Sequence, residues 1–354
     1  MSLASLELGE NVDRLVTLDV NARGIVRRLY KAARKQVDKP LTFLAAKALV
    51  ENIGPGDVVV VATGFPLRGW IAPNIGETDG PPGAVVLARA LKMGLKAIPV
   101  VIAEKGLLNL IYSTCNAIGI NAVSMQEAKR SIESEVTMPV AVIKDFPIDL
   151  EKAKVETQRI LNELDPAALI AVERPGINEK GVYHDLQTFG GIDITPWTAK
   201  IDYLFEEFKS RGAITIGIGD AGCDLGMGNI FDFVKAYIPF GSDCRCPCGT
   251  GIATVTKTTH TVVSTISNWG AYGLTACMAS LLNEQSLLHN AEVEGRILGA
   301  CASVGGLSPG TEPELIDGAD NLPKFTHSSF VELLRMLTVR HIELRKEFSH
   351  IGTK

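Results

Sequence analysis

The chain has 354 residues and 46% hydrophobic content, enough for one large or two modest domains with a substantial core. A net charge of -5, a pI near 5.8 and the lack of any Lys/Arg cluster interleaved with aromatics exclude a basic nucleic-acid footprint and leave a small ligand as the expected partner. Residues 1–11 lack the charged lead and apolar centre of a signal peptide, no apolar run could cross a bilayer, and the seven mostly scattered cysteines suit a reducing compartment. The expectation is a cytoplasmic protein without a membrane partner.

Residues 12–35 and 41–52 carry apolar positions at helical spacing with Arg and Lys between them, predicting two amphipathic lead-in helices. A turn at 52–57 then leads into the continuous β-branched run 58–62, of the kind found in a strand covered on both faces. The long loop 66–82 follows, containing Arg68, Trp70 and the run Glu77-Thr78-Asp79-Gly80-Pro81-Pro82-Gly83. A loop this long usually serves a function, and turning alone does not call for Glu77 or Arg68.

Helices are predicted at 84–93, 106–118 and 150–164, and strands at 97–103, 140–143 and 168–172. This alternation implies an α/β fold, a mostly parallel sheet flanked by helices. The strand at 168–172 runs into Glu173-Arg174-Pro175-Gly176. Arg174 could grip a carboxylate in a two-pronged hydrogen bond and Glu173 could hold a cation or take a proton, or the two could form a surface ion pair. Gly181, Tyr183 and His184 fall in a polar loop, where a histidine is more often solvated than catalytic. A helix is predicted at 197–210.

The stretch 213–229 is the richest in the chain: an apolar strand followed by Asp220 and Asp224 among Gly217, Gly219, Gly222, Gly226 and Gly228. Glycines let the backbone turn and approach a ligand, leaving short carboxylates at the carboxyl edge of the sheet; as a plain strand-to-helix turn, Asp220 would cap a helix instead. After a helix at 230–236, the loop at 239–251 carries Cys244, Cys246 and Cys248. Metal-binding pairs usually have two or more intervening residues, and single-residue gaps are expected to alternate the thiols rather than aim them together. Strands are predicted at 252–255 and 262–266, then a small-residue helix to 282 begun by Ser267 or Asn268 as cap. A helix at 291–302, a loop at 305–323 and an amphipathic helix at 328–348, read as packing or homo-oligomer surface, complete the chain.

Glu77 through Gly83, Glu173 through Gly176, Gly181 with Tyr183, Gly219 through Gly228, and Ser267-Asn268-Trp269-Gly270-Ala271-Tyr272 occur in the order seen in the D-glutamate cyclases. Over about residues 58–282 the chain resembles the carboxyl-terminal catalytic part of the mitochondrial enzyme. The resemblance implies closure of D-glutamate to 5-oxo-D-proline with loss of water, assisted by magnesium or manganese. It puts Glu77, Asp79, Glu173 and Asp220 forward as metal ligands, Glu173, Asp220 and Asp224 as catalytic groups, and Arg68, Thr78, Arg174, Tyr183 and Asn268 as substrate-binding residues. The expected units are a helical lead-in at 1–56, a catalytic α/β domain at 57–305 and a carboxyl-terminal loop and helix at 306–354.

Departures from the family pattern fall within these motifs. Asp220-Ala221-Gly222-Cys223-Asp224 stands where the family usually has Asp-Gly-Gly-Asn-Glu, and Thr259 is read at a position where an Asp is usual, with His260 beside it as a conceivable nitrogen ligand. Two other chemistries fit parts of the pattern. A metal-dependent phosphatase or hydrolase would use the same acids, and Gly217-x-Gly219-x-x-Gly222 satisfies a dinucleotide fingerprint, although acids in that turn would repel a pyrophosphate. A metabolite-binding protein without turnover is the remaining class.

Overall fold

A computed structural model describes residues 3–186, 190–309 and 317–347. Runs of Val, Ile and Ala buried on both faces form the central strands of a wholly parallel sheet of seven. In chain order these are β1 (Val58–Thr63), β2 (Ile98–Ala103), β3 (Asn121–Ala122), β4 (Val140–Asp145), β5 (Ala168–Val172), β6 (Ile214–Gly219) and β7 (His260–Val263). Their spatial order is β7-β6-β5-β1-β2-β4-β3. The chain leaves β1 toward β2 on one side and returns on the other side with β5, which pairs directly with β1. Between those two strands the connections diverge, and this divergence opens the crevice in which open α/β sheets bind ligands.

Alternation along β1 divides the core. Val59 and Val61 face a large apolar cluster, and Val58, Val60 and Ala62 face a second one. The first cluster is covered by helices α1 (Leu3–Val16), α3 (Leu41–Asn52), α4 (Pro81–Leu95), α5 (Leu108–Ile118), α10 (Ser267–Leu282), α11 (Ala291–Ala302) and α12 (Lys324–Glu347). The second is covered by α6 (Met125–Arg130), α7 (Leu150–Arg159) and α8 (Asp202–Ser210). Two further helices, α2 (Val26–Arg34) and α9 (Phe231–Tyr237), share a smaller cluster at the β7 edge. Leu8, Val12 and Val16 of α1 and Phe330, Val331 and Leu334 of α12 lie in the same core as the sheet, so both flanks pack onto the centre.

Several expected bounds shift for identifiable reasons. The single helix at 12–35 is two helices, because the Asp19 carboxylate accepts the backbone N–H of Arg23 at 3.0 Å and of Gly24 at 2.7 Å, and Ala22 and Gly24 turn with positive φ. Helix α4 starts at Pro81, three residues before the predicted 84, since proline lacks only an N–H that the first turn leaves unpaired anyway. The loop at 66–82 contains a two-residue strand, Gly76–Glu77, parallel to Gly306–Leu307. Residues 252–255 form no strand; Val255 instead donates to Ile177 O at 2.8 Å. The helix expected at 197–210 shortens to α8, preceded by a 3-10 turn at Thr195–Trp197, and α7 continues as a π turn at Ile160–Leu164. Parts of the 305–323 loop and residue 348 lie outside the described residues.

Candidate active site at the carboxyl edge of the sheet

Four connections meet above the β1/β5 crevice. The loop after β1 supplies Glu77 and Asp79, the end of β5 supplies Glu173, and the turn after β6 supplies Asp220 and Asp224. A sixth carboxylate, Asp320, comes from the turn between the short strands Gly318–Ala319 and Leu322–Pro323. All six are buried. Asp79, Asp220 and Asp320 each offer an oxygen within 4.8 Å of the others, and so do Glu173, Asp220 and Asp224, so Asp220 is common to both groups.

The backbone holds these acids through reciprocal capping. Asp79 accepts the N–H of Ser267 and of Asn268, each at 2.7 Å, and so caps α10. Asn268 Oδ1 accepts the N–H of Gly80 at 2.9 Å and of Gly83 at 2.7 Å, capping α4, while its Nδ2 donates to Thr78 O at 3.1 Å. Gly80 sits at φ +101, where a Cβ would lie 2.9 Å from that of Glu173; only glycine lets the chain pass under the acid. Glu173 is a non-glycine residue at φ +45, a strained conformation of the sort that collects at functional sites, and it accepts the Ser267 hydroxyl. Asp224 Oδ2 takes the N–H of Asp220 at 3.1 Å and of Ala221 at 2.9 Å, folding the turn back on itself.

Burial pushes Glu77, Asp79, Glu173 and Asp220 well above the usual carboxylate range, reinforced in each case by neighbouring acids and opposed at Asp79 by its three backbone N–H donors. Asp224 is pushed by burial up to about 6, against its two backbone hydrogen bonds. So many carboxylates cannot all ionise in a dry pocket without positive charge nearby. One positive group comes from Arg23, whose guanidinium donates to Asp220 and lies 3.5 Å from Asp320, and these acids raise its pKa despite burial. Asp220 Oδ1 and Asp224 Oδ1 remain buried with no hydrogen-bond partner among the described residues. An all-oxygen donor set with unpartnered buried oxygens fits a hard divalent cation such as magnesium or manganese.

The residues expected to bind substrate are placed differently. The Arg174 guanidinium is fully buried, doubly hydrogen-bonded to Glu104, and also donates to Gly64 O at 2.6 Å and Ala199 O at 3.0 Å. It ties β1, β2 and the segment before α8 together and is not among the groups that converge on the acids. Arg68 lies 3.4 Å from Asp185 and over the Trp70 ring. Thr78 Oγ1 donates to Leu307 O at 3.2 Å, and Tyr183 is buried with Lys200 over its ring. Asn268 gives its amide to the two caps. Thr259 bonds Thr215 in the sheet, and His260 opens β7 opposite Ile216, so both lie at the amino end of the strands, away from the acids. His260 therefore cannot act as a replacement ligand there. The dinucleotide fingerprint also lacks its helix: bends follow Gly219, and α9 begins only at Phe231.

Sequence reasoning missed Arg23 and Asp320. Arg23 falls inside the run 12–35 that reads as one helix and Asp320 inside the loop 305–323, and the local signals, Asn21-Ala22-Arg23-Gly24 and Gly318-Ala319-Asp320-Asn321, are ordinary turn compositions. His327 fixes the second turn. Trp269 Nε1 donates to its Nδ1 at 3.1 Å, and its Nε2 lies 3.1 Å from Ala319 N and 3.2 Å from Leu322 O. The two larger hollows, about 830 Å³ between α2 and α9 and about 1030 Å³ between α11 and α12, both lie away from the acid cluster.

Fold and site together define an α/β protein with a buried polycarboxylate centre at the switch point of a parallel sheet. The family model described as D-glutamate cyclase-like, C-terminal, matches residues 12–335, and the chain belongs to that family. It is 24% identical to the human protein "D-glutamate cyclase, mitochondrial" over 290 residues, which is 79% of this chain and 40% of the human one. The chain thus spans less than half of that relative. The matched range extends beyond the motifs at 77–272 and takes in both Arg23 and Asp320.

Proposed function

We propose that this chain is a D-glutamate cyclase-like hydro-lyase, closing D-glutamate or a closely related small acidic amino acid into 5-oxo-D-proline with loss of one water. The observation that carries this reading is the convergence on Asp220 of buried carboxylates, two of them with an unpartnered oxygen, in a chain of the cyclase-like family. Asp79, Asp220 and Asp320 would hold the divalent cation, with Glu77 beside them. When bound, that cation neutralises the acids and polarises the γ-carboxyl carbon that must be attacked.

Arg23 is suited to receive the substrate α-carboxylate, the role expected of Arg174 and Arg68, because its guanidinium already faces the site. Glu173 is the general base. Its carboxyl is pushed upward by burial and by neighbouring acids, which makes its ionised form a stronger base toward the substrate ammonium. The freed amine forms the C–N bond and gives up a second proton; Glu173 passes both protons in turn to the departing γ-oxygen, so the γ-carbon–oxygen bond breaks with release of one water and the lactam nitrogen keeps one hydrogen. Ser267, donating to Glu173, keeps that carboxyl aimed, while Asn268 and Thr78 act through the loop they brace. The acids are closed off from solvent, so substrate entry requires the Arg23 or Asp320 turn to move.

The test is incubation with D-glutamate, L-glutamate and 5-oxoproline, with and without manganese, read by mass spectrometry. Manganese-dependent loss of one water from D-glutamate supports the reading. Hydrolysis of phosphate esters without conversion of D-glutamate would replace it with the phosphatase alternative.

A further inference from the structure

A second cluster lies away from the carboxylates, and nothing in the proposed chemistry uses it. Contrary to the expectation that single-residue gaps scatter the thiols, Cys244, Cys246, Cys248 and His184 each direct one ligand atom into a common volume. The reason is conformational: residues 244–248 run through bends and turns, so the side-chain alternation of an extended chain does not apply. Cys244 Sγ lies 3.5 Å from Cys246 Sγ and 3.3 Å from Cys248 Sγ, and His184 Nε2 lies 3.2 Å from Cys246 Sγ and 3.6 Å from Cys248 Sγ.

These distances discriminate between possible occupants. Around one tetrahedral zinc, two thiolate sulfurs stand about 3.8 Å apart, and a sulfur and an imidazole nitrogen about 3.6 Å. The observed separations match that scale with slight compaction. In a [4Fe–4S] cluster each ligand binds a different iron and in a [2Fe–2S] cluster the four divide between two irons, so either spreads the ligand atoms beyond this. A disulfide would use only two of the thiols and leave the imidazole without a purpose.

The surroundings are those of a closed metal site. Asn178 Nδ2 donates to Cys248 Sγ at 3.3 Å, and the Cys248 N–H points at Cys246 Sγ at 3.4 Å, both bonds that stabilise thiolate. Asn178 is itself fixed, accepting the N–H of Lys180 at 2.9 Å and of Val182 at 3.0 Å and donating to Gly251 O at 2.8 Å. The group belongs to a small apolar cluster of Phe65, Leu67, Tyr183, Ile194, Cys223 and Ile252, built from loop residues and lacking a long helix or strand. Such a satellite core gains much from a metal staple.

We propose that His184, Cys244, Cys246 and Cys248 form a structural zinc site. The ion pins the loop 239–251 to the short pair His184–Asp185 and Ile192–Asp193. It thereby fixes Asp185, the partner of Arg68, beside the wall of the carboxylate pocket. Its ligands are soft and closed where the carboxylate site is hard, so the two sites select different metals.

The test uses the full chain purified under reducing conditions and passed over a weak chelating resin, with metals measured by mass spectrometry. The expected result is about one zinc per chain, falling about tenfold or more in the Cys246→Ser/Cys248→Ser protein and staying unchanged in Asp220→Asn. Should the cysteine variant fail to fold, cobalt exchanged into the wild-type chain decides. Thiolate-to-cobalt charge transfer with tetrahedral d–d bands supports the site, and an octahedral or absent spectrum overturns it. Zinc retained in the double variant, stoichiometric iron or copper in place of zinc, or a metal-free chain with two of the three thiols oxidised to a disulfide would each overturn it as well.

Discussion

The carboxylates rest on the ends of β1, β5 and β6 and on the caps of α4 and α10, whereas the thiols and His184 rest on loops around a small apolar cluster. Most of the first arrangement is rigid before any ligand arrives, since every acid except Asp320, which sits on the turn between Gly318–Ala319 and Leu322–Pro323, is placed by backbone that the sheet and helices already fix. The second has little beneath it and gains its rigidity from the group it encloses. A site built on strand ends should therefore lose chemistry when a ligand is removed while keeping its fold. A site built on loops should lose local structure.

The largest expected effect breaks the rigid site chemically. Asp220→Asn removes the carboxylate shared by both acid groups, and turnover of D-glutamate should fall by about a thousandfold or more with the circular dichroism spectrum unchanged. Arg174→Met tests the opposite assignment within the same motif. It strands Glu104 in the core, so urea unfolding should report a loss of about 3–5 kcal/mol, a stability effect and not a selective loss of substrate binding.

The pH dependence sharpens the contrast. A carboxyl raised on folding binds its proton more tightly in the native state, so the metal-free protein should lose stability as pH rises from about 4 through about 6. Asp224, pushed by burial up to about 6, is one contributor to this loss. Thermal melts of chelated protein should be higher at pH 5 than at pH 7.5, and manganese should remove most of the difference. Arg23→Lys keeps the charge but loses the fork, and KM for D-glutamate should rise about tenfold with a smaller change in kcat. At the small end, His260→Gln should leave activity and stability within about 0.5 kcal/mol, because the residue sits at the wrong end of its strand.

What the sequence disclosed follows the same division. β-branched runs such as 58–62 and 168–172 report strands because burial on both faces forces that composition, and the glycine-flanked Asp220 and Asp224 report a sheet edge because few other contexts need both. Glu77, Asp79 and Glu173 were legible for that reason. Arg23 and Asp320 were not, since a turn residue becomes part of a site only through tertiary placement, which leaves no period in the chain. Arg174 stands apart from the acids although it adjoins Glu173 in the chain. At the end of β5 the backbone turns with positive φ at Glu173, and Arg174 leads instead to Glu104. The thiol spacing misled through an assumed extended chain that the bends at 244–248 replace.

The central claim is that buried carboxylates from separate segments gather on one hard cation, and calorimetric titration of the zinc-replete chain with manganese at pH 7.5 tests it most directly. The account predicts one site that disappears in Asp220→Asn and in Asp79→Asn, tightens or is unchanged in the presence of D-glutamate, and survives His260→Gln. Manganese binding of equal affinity and stoichiometry in wild type and Asp220→Asn would contradict it.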